Sequence, residues 1–241
     1  MTIRFVLAVT LLLLPAVGST EATASGGCDP ARTVSLRTPR SAYAATALRT
    51  LNAFRGPGWR VVMRFRARNA NGARTVFGVL GMKTDRSCLP RWYLVQLPAR
   101  PNGRTGWVSS RDVSVRTVRT RIEVDLSARR VALFRDGRLV LTTVAAIGSP
   151  STPTPTGRYY VNQRFVTGNP IGVFGPRIVG ISAFSPVLRD WPQGGPVAIH
   201  GTNTPRELGF AVSHGCIRVR NEDVLRIHRE AREGTPVEIR M

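Results

Sequence analysis

Apolar residues recur at every second position along most of this chain, in short runs punctuated by glycine, proline and asparagine, a pattern that commits it to β-strands. Val61-Met63-Phe65, Val76-Val79, Trp92-Leu94 and Trp107-Val108 form a first set. A second begins with Ile122, Val124 and Leu126, continues through Val131 to Phe134, turns at Asp136-Gly137 and resumes from Leu139 to Ile147. The proline-rich loop from Pro150 to Gly157 interrupts it, and Tyr159-Tyr160-Val161 takes it up again. After the glycine-rich stretch from Gly168 to Gly180, the strand Val197-Ala198-Ile199 ends at His200-Gly201. One helix is well marked, with Asn221 as N-cap, Glu222 and Asp223 in its first turn and a stop at Gly234; Val237 and Ile239 then close the chain as a strand. The fold class expected is mostly β.

Residues 1–24 have the form of a signal peptide: Arg4, an apolar run from Phe5 to Val17, and Ala22-Thr23-Ala24 as a cleavage site. The run is short for a membrane span, which takes ~20 apolar residues; an uncleaved anchor is the alternative. Residues 25–57, rich in Ala, Ser, Thr, Pro and Gly, read as a linker-like segment with a short helical possibility at Ala42 to Arg49. Three cysteines in an exported chain imply one bridge and one free thiol. Cys28 and Cys88 are the expected pair, since a bridge there would staple the amino-terminal segment; a lipid on Cys28 is the alternative. Cys216 is left over.

The net charge of +21 invites a nucleic-acid reading. The arginines are spread along the whole chain, Lys83 is the single lysine, and no DNA-reading helix motif is present, so no nucleic-acid partner is expected. Anionic polymers of a cell envelope suit such a surface better, and an arginine-rich composition set by a GC-rich genome is the plain alternative.

Ser213-His214-Gly215-Cys216-Ile217-Arg218 brings histidine, glycine, cysteine and arginine together just before the helix. A thiol becomes an effective nucleophile when a neighbouring base or positive field lowers its pKa from ~8.5. Two imidazoles, His200 and His214, are available; His200 ends an apolar strand, and the Gly201 carbonyl is free to orient one of its ring nitrogens. Gly215 would let backbone N–H groups approach a developing oxyanion. Taken singly, Cys216 could be a small core residue, His214 a turn residue, His228 a packing residue and Arg218 a surface charge. His200, His214 and Cys216 could also ligate zinc, but no Cys-x-x-Cys or His-Glu-x-x-His spacing supports it, so no metal and no cofactor are expected. A papain-like or NlpC-type peptidase would carry its cysteine before its histidine, the reverse of the order here.

Two resemblances follow from these residues. Trp92 to Leu97, Pro101-Asn102-Gly103 and Gly106-Trp107-Val108 resemble a bacterial SH3-like small barrel over residues 58–115. Ile199 to Asn203, Ser213 to Arg218, Asn221 and Asp223, with Thr154 to Gly157 and Ser182 to Pro186, resemble the YkuD-type L,D-transpeptidase catalytic domain over residues 119–241. The second resemblance implies Cys216 as nucleophile, His200 as base oriented by the Gly201 carbonyl, Gly215 and Cys216 N–H groups as the oxyanion hole, and His214 beside the thiolate. It also implies Arg218 as the holder of a substrate carboxylate, with Ser213, Asn203 and Tyr160 as further substrate contacts. The spacing from His200 to Cys216 is compact for that family, so the loop from Thr202 to Val212 is expected to narrow the entrance. The reaction implied is acyl transfer between peptidoglycan stem peptides, with β-lactams of the carbapenem class as covalent inhibitors; a carboxypeptidase or a non-catalytic wall-binding protein is the alternative.

Overall fold

The computed structural model describes residues 28–36, 38 and 40–241, so the expected leader lies outside the described residues. The described residues form two eight-stranded sheets, a small two-stranded sheet and one α-helix, and the fold is mostly β.

The carboxy-terminal sheet has eight strands in the order Arg138–Val144, Arg130–Arg135, Thr120–Asp125, Pro236–Arg240, Gly157–Val166, Arg177–Phe184, Pro196–His200 and Ile217–Arg218. Alternation along these strands buries Ile122, Val124, Val131, Leu133, Val237 and Ile239 in one core. The last strand pairs in parallel with Thr120–Asp125 and antiparallel with Gly157–Val166. The sheet is therefore incomplete until Pro236–Arg240 joins the strand Thr120–Asp125, more than 100 residues earlier, a strongly non-local arrangement. At its far edge Pro196–His200 pairs in parallel with the two-residue strand Ile217–Arg218, which brings the His200 and Cys216 segments together.

The helix Asn221–Glu230 packs Val224 and Ile227 against the neighbouring strands. It begins one residue earlier than the sequence suggests: Arg220 occupies the cap position with no side-chain cap, and the Asn221 carboxamide is used elsewhere. Among the described residues no helix is long and apolar enough to cross a membrane.

The amino-terminal sheet runs Trp59–Phe65, Leu51–Gly56, Thr105–Ser109, Pro90–Gln96, Val76–Thr84, Ala42–Ala47, Val113–Val118, with Val34–Ser35 added on Val76–Thr84. Two expectations are corrected. The stretch read as linker-like contributes strands to this sheet, and Ala42–Ala47 is a strand, not a helix. Alanine favours a helix locally, but here sheet partners on both sides override that preference. Small side chains are needed at this place, because Ala44, packed with Ala42, Val76 and Val118, lies against Gly234, where an added Cβ would come within 2.2 Å of its methyl carbon. The cysteine expectation holds: Cys28 is bonded to Cys88 and Cys216 is free.

The seam is continuous. The Gln96 side chain donates to the Arg158 carbonyl at 2.6 Å, and Arg116 donates to the Glu233 carbonyl at 2.5 Å. Tyr160, expected as a substrate contact, is its main bolt: it is 2% exposed, its hydroxyl donates to the Val76 carbonyl at 3.1 Å, and its ring fills the space that glycine leaves at Gly78. A Cβ at Gly78 would come within 2.9 Å of that ring. Tyr160 is thus removed from any substrate, and burial raises its hydroxyl pKa well above the usual tyrosine value.

Candidate active site

The parallel register Ile199 to Ile217 and His200 to Arg218 determines which side chains share a face. Ile199 and Ile217 are both fully buried in the core, so His200 and Arg218 project from the opposite face of the sheet edge. Cys216 precedes the paired residues by one position, and its thiol is hydrogen-bonded by the Ala198 backbone on the neighbouring strand, two residues before His200.

His200 is 3% exposed, and its Nδ1 lies 2.6 Å from the Gly201 carbonyl. A carbonyl can only accept, so Nδ1 carries the proton and Nε2 is left as a bare lone pair in the neutral ring. Phe174 meets the imidazole edge to face at 5.1 Å between ring centroids. The turn after His200 is held from beneath: Asn221 Oδ1 accepts from Thr202 N at 2.9 Å, and a Cβ at Gly201 would lie 2.2 Å from that oxygen. Only glycine fits there.

Burial brings the His200 pKa down to about 4; the Gly201 hydrogen bond acts the other way, and the Arg218 charge lowers it further. Burial pushes the Cys216 thiol up, against the Ala198 hydrogen bond and the Arg218 charge. The lowered thiol pKa expected from the sequence is therefore corrected. At neutral pH the pair rests as thiol and neutral imidazole, which suits general-base removal of the proton during attack and not a standing thiolate.

Ser213, expected to touch substrate, is 1% exposed and organises the turn instead. Its Oγ accepts from Gly215 N at 3.1 Å and donates to the Cys216 carbonyl at 2.5 Å. This also corrects the oxyanion assignment, because the Gly215 N–H is already engaged. The Cys216 N–H has no acceptor among the described residues. Gly215 adopts a φ of 107°, a left-handed-side conformation that favours glycine, and its carbonyl accepts from the Thr154 hydroxyl at 3.0 Å. Thr154 accepts in turn from Gly148 N at 2.9 Å, so the proline-rich loop is locked to the cysteine turn.

Arg218 does not stand free. Glu207, on the single turn Pro205–Glu207, accepts from its guanidinium at 2.5 Å and ties the loop from Thr202 to Val212 across the site. Asn203 is exposed, and its side chain accepts from the Thr204 hydroxyl at 3.1 Å. His214 is exposed with its ring 5.3 Å from that of Trp191. Among the described residues no three His, Cys, Asp or Glu side chains are grouped as a metal site.

Sequence reasoning missed Glu207, Phe174 and Trp191. Trp191 sits on the segment between Phe184 and Pro196, and the amino-terminal sheet grips that segment. Arg100 donates to the Ser185 and Gly194 carbonyls at 2.6 and 2.7 Å, and Asn102 bonds both the N–H and the carbonyl of Phe184. Asn71 and Gln193 exchange amide hydrogen bonds at 3.1 and 2.8 Å. The aromatic wall beside His214 is therefore positioned by residues from the other sheet.

A fold of this kind, with a strand-end His-Gly and a Ser-His-Gly-Cys turn at one sheet edge, is that of an acyl-transfer enzyme domain. Residues 119–239 match the family model for the L,D-transpeptidase catalytic domain, and the chain belongs to that family. YkuD, an L,D-transpeptidase-family protein of Bacillus licheniformis, is 37% identical over 51% of this chain and 67% of its own length. The Enterococcus faecium L,D-transpeptidase structure is 27% identical with a TM-score of 0.40; the match covers 50% of this chain and 49% of that one. L,D-transpeptidase 3 of Mycobacterium tuberculosis, solved with a faropenem-derived adduct, is 16% identical over 69% of this chain and 91% of that one, with a TM-score of 0.43.

Proposed function

We propose that the protein is an exported cell-wall enzyme that joins peptidoglycan stem peptides through a thioester on Cys216. The Cys216 thiol attacks the carbonyl of the third residue of a donor tetrapeptide, a diaminopimelate, while its proton passes to His200 Nε2. The imidazolium returns that proton to the departing amine of the terminal D-alanine. The side-chain amine of a second stem then gives a proton to Nε2 and attacks the thioester, forming the new amide and releasing the sulfur, which recovers its proton. Peptide-bond energy is conserved in the acyl-enzyme, so the transfer needs no nucleotide. Water as acceptor would make the same site a carboxypeptidase.

This reading rests on one juxtaposition: a buried imidazole with its Nε2 bare at the end of one strand, and a free thiol just before the strand that pairs with it in parallel. The Cys216 N–H supplies an oxyanion donor, the second backbone donor coming from the His214 end of the turn in place of Gly215. Arg218 receives a substrate carboxylate by exchanging it for Glu207. A carbapenem, whose strained amide presents the same electrophile, acylates the same sulfur. Incubation with disaccharide-tetrapeptides tests the reaction. D-alanine release with a cross-linked dimer by mass is expected, free tripeptide alone would establish the carboxypeptidase, and neither product would refute the enzyme reading.

A further inference from the structure

Strand register fixes the order of residues along the active-site edge. His200 pairs with Ile178 at the start of the strand Arg177–Phe184, so the loop 167–176 arrives at the His200 end. The segment that carries Trp191 enters Pro196–His200 at its other end, and Trp191 meets His214 there. Cys216, bonded by the Ala198 backbone, lies between, with Phe174 and His200 on one side and His214 and Trp191 on the other.

Residues 167–176 carry no charged side chain, in a chain with 35 basic and 14 acidic ones. Ile171, Val173 and Phe174 are all exposed there, and the Phe174 ring stands 5.1 Å from that of His200. The loop is also fixed in place. Thr167 Oγ1 donates to the Gly175 carbonyl at 2.5 Å, Gly175 N donates to the Gly172 carbonyl at 2.9 Å, and a Cβ at Gly175 would lie 2.7 Å from the Gly201 Cα. An apolar wall is thus braced against the turn that carries the base, a surface suited to a carbon chain. On the reading of Cys216 as an acyl carrier, on which this inference rests, one base serves both half-reactions: His200 Nε2 protonates the departing amine and later takes a proton from the incoming one. Both amines therefore occupy the His200 side of the acyl carbonyl, and the acyl chain extends toward His214 and Trp191.

We propose that the loop 167–176 is the acceptor wall of the site: it seats the methylene stem of an aliphatic primary amine and so selects amine over water as the acyl acceptor. The neutral amine attacks the thioester carbonyl beside Phe174. The C–N bond forms as the C–S bond breaks, and the amine proton passes through His200 Nε2 to the sulfur. Water gains nothing from Ile171, Val173 or Phe174, since it has no carbon to bury against them. These three are positioning residues for the acceptor and take no part in the proton transfers.

The test uses the full chain and a disaccharide-tetrapeptide whose side-chain amine is acetylated, so that it can give an acyl group but not accept one. Nα-acetyl-lysine and Nα-acetyl-diaminobutyrate, which has the shorter methylene stem, serve as acceptors, and mass analysis gives the ratio of new amide to hydrolysed tripeptide. Ile171→Ser/Val173→Ser and Phe174→Ser lower this ratio for the lysine probe by about fivefold or more, as expected when a few buried carbons lose apolar contact. They also erase the preference for the longer stem. The substituted side chains are exposed, so the fold is not at stake. Phe174→Leu, which keeps an apolar side chain in place, holds the ratio within about twofold of the wild type. Trp191→Ala, at the opposite end, slows acylation of Cys216 and leaves the ratio unchanged. If Phe174 only supported the imidazole, its loss would slow both fates of the thioester together; that result, with an unchanged ratio in Ile171→Ser/Val173→Ser, would overturn the proposal. A ratio that falls in Trp191→Ala and not in the loop variants would also overturn it, by putting the acceptor at the other end. A wild type that never carries an acyl group on Cys216 would remove the acyl-transfer reading itself, and the acceptor wall with it.

Discussion

Burial sets the ionisation of the two side chains at the centre of the candidate site. With its pKa near 4 in the folded protein against 6.5 for an ordinary imidazole, His200 stays neutral across the working range. As pH falls, the unfolded chain takes up this proton first, so stability is lost from about pH 6.5 down to about 4 and levels off below. His200→Gln should remove a slope of about 1.4 kcal/mol per pH unit in that window, measured by denaturant titration at stepped pH. An unchanged slope would mean the ring is not held neutral by burial. For Cys216 the sign is opposite in consequence: with its pKa raised, alkylation by iodoacetamide should keep climbing beyond pH 9 and show no plateau near neutrality. Cys216 and His200 could be singled out in the sequence because the proposed chemistry needs those residue types, and the structure places both at one sheet edge. Ser213 and Tyr160 were not, because a hydroxyl's role depends on the neighbours that the fold supplies.

At the scale of elements, the cysteine turn, the proline-rich loop and the loop from Thr202 to Val212 are interlocked by side chains that a pattern of strands does not reveal. Ser213→Ala would leave Gly215 N and Cys216 O without their shared partner in a buried turn, a cost of about 1–3 kcal/mol that thermal unfolding would register. Glu207→Gln should loosen the loop and free Arg218. Under the reading of Arg218 as the carboxylate holder, KM for a tetrapeptide donor should fall or stay level while Tm drops slightly. A higher KM at unchanged kcat would show instead that Glu207 itself holds the substrate. The helix illustrates the limit of cap rules. Asn221 has the residue type of an N-cap but stands one position inside the helix, and its oxygen serves Thr202 N across the His-Gly turn. Ala42–Ala47 makes the same point for strands, since local propensity pointed one way and the sheet partners another.

For the whole molecule, the boundary between the sheets is a packed seam and not a hinge. The sequence separated them because their strand patterns are interrupted near residue 119, whereas the contacts that join them, such as Arg100 with Ser185, span 85 residues. A fragment beginning at residue 117 would expose Tyr160 and leave the Arg158 and Glu233 carbonyls without their partners. It should be insoluble or melt far below the intact chain. Arg100→Gln is the milder probe: kcat/KM for peptide should fall with Trp191 no longer held, while iodoacetamide still reaches Cys216 at the wild-type rate. Two independent units would leave both rates unchanged. The central claim, a thioester on Cys216 formed with His200 as base, is tested most directly by intact mass spectrometry after brief exposure to a carbapenem or a disaccharide-tetrapeptide. One covalent acyl group on the wild type, none on Cys216→Ala, and acylation slowed by ~10²–10⁴-fold in His200→Ala are the results expected. An adduct that persists in Cys216→Ala, or full-rate acylation without His200, would contradict it.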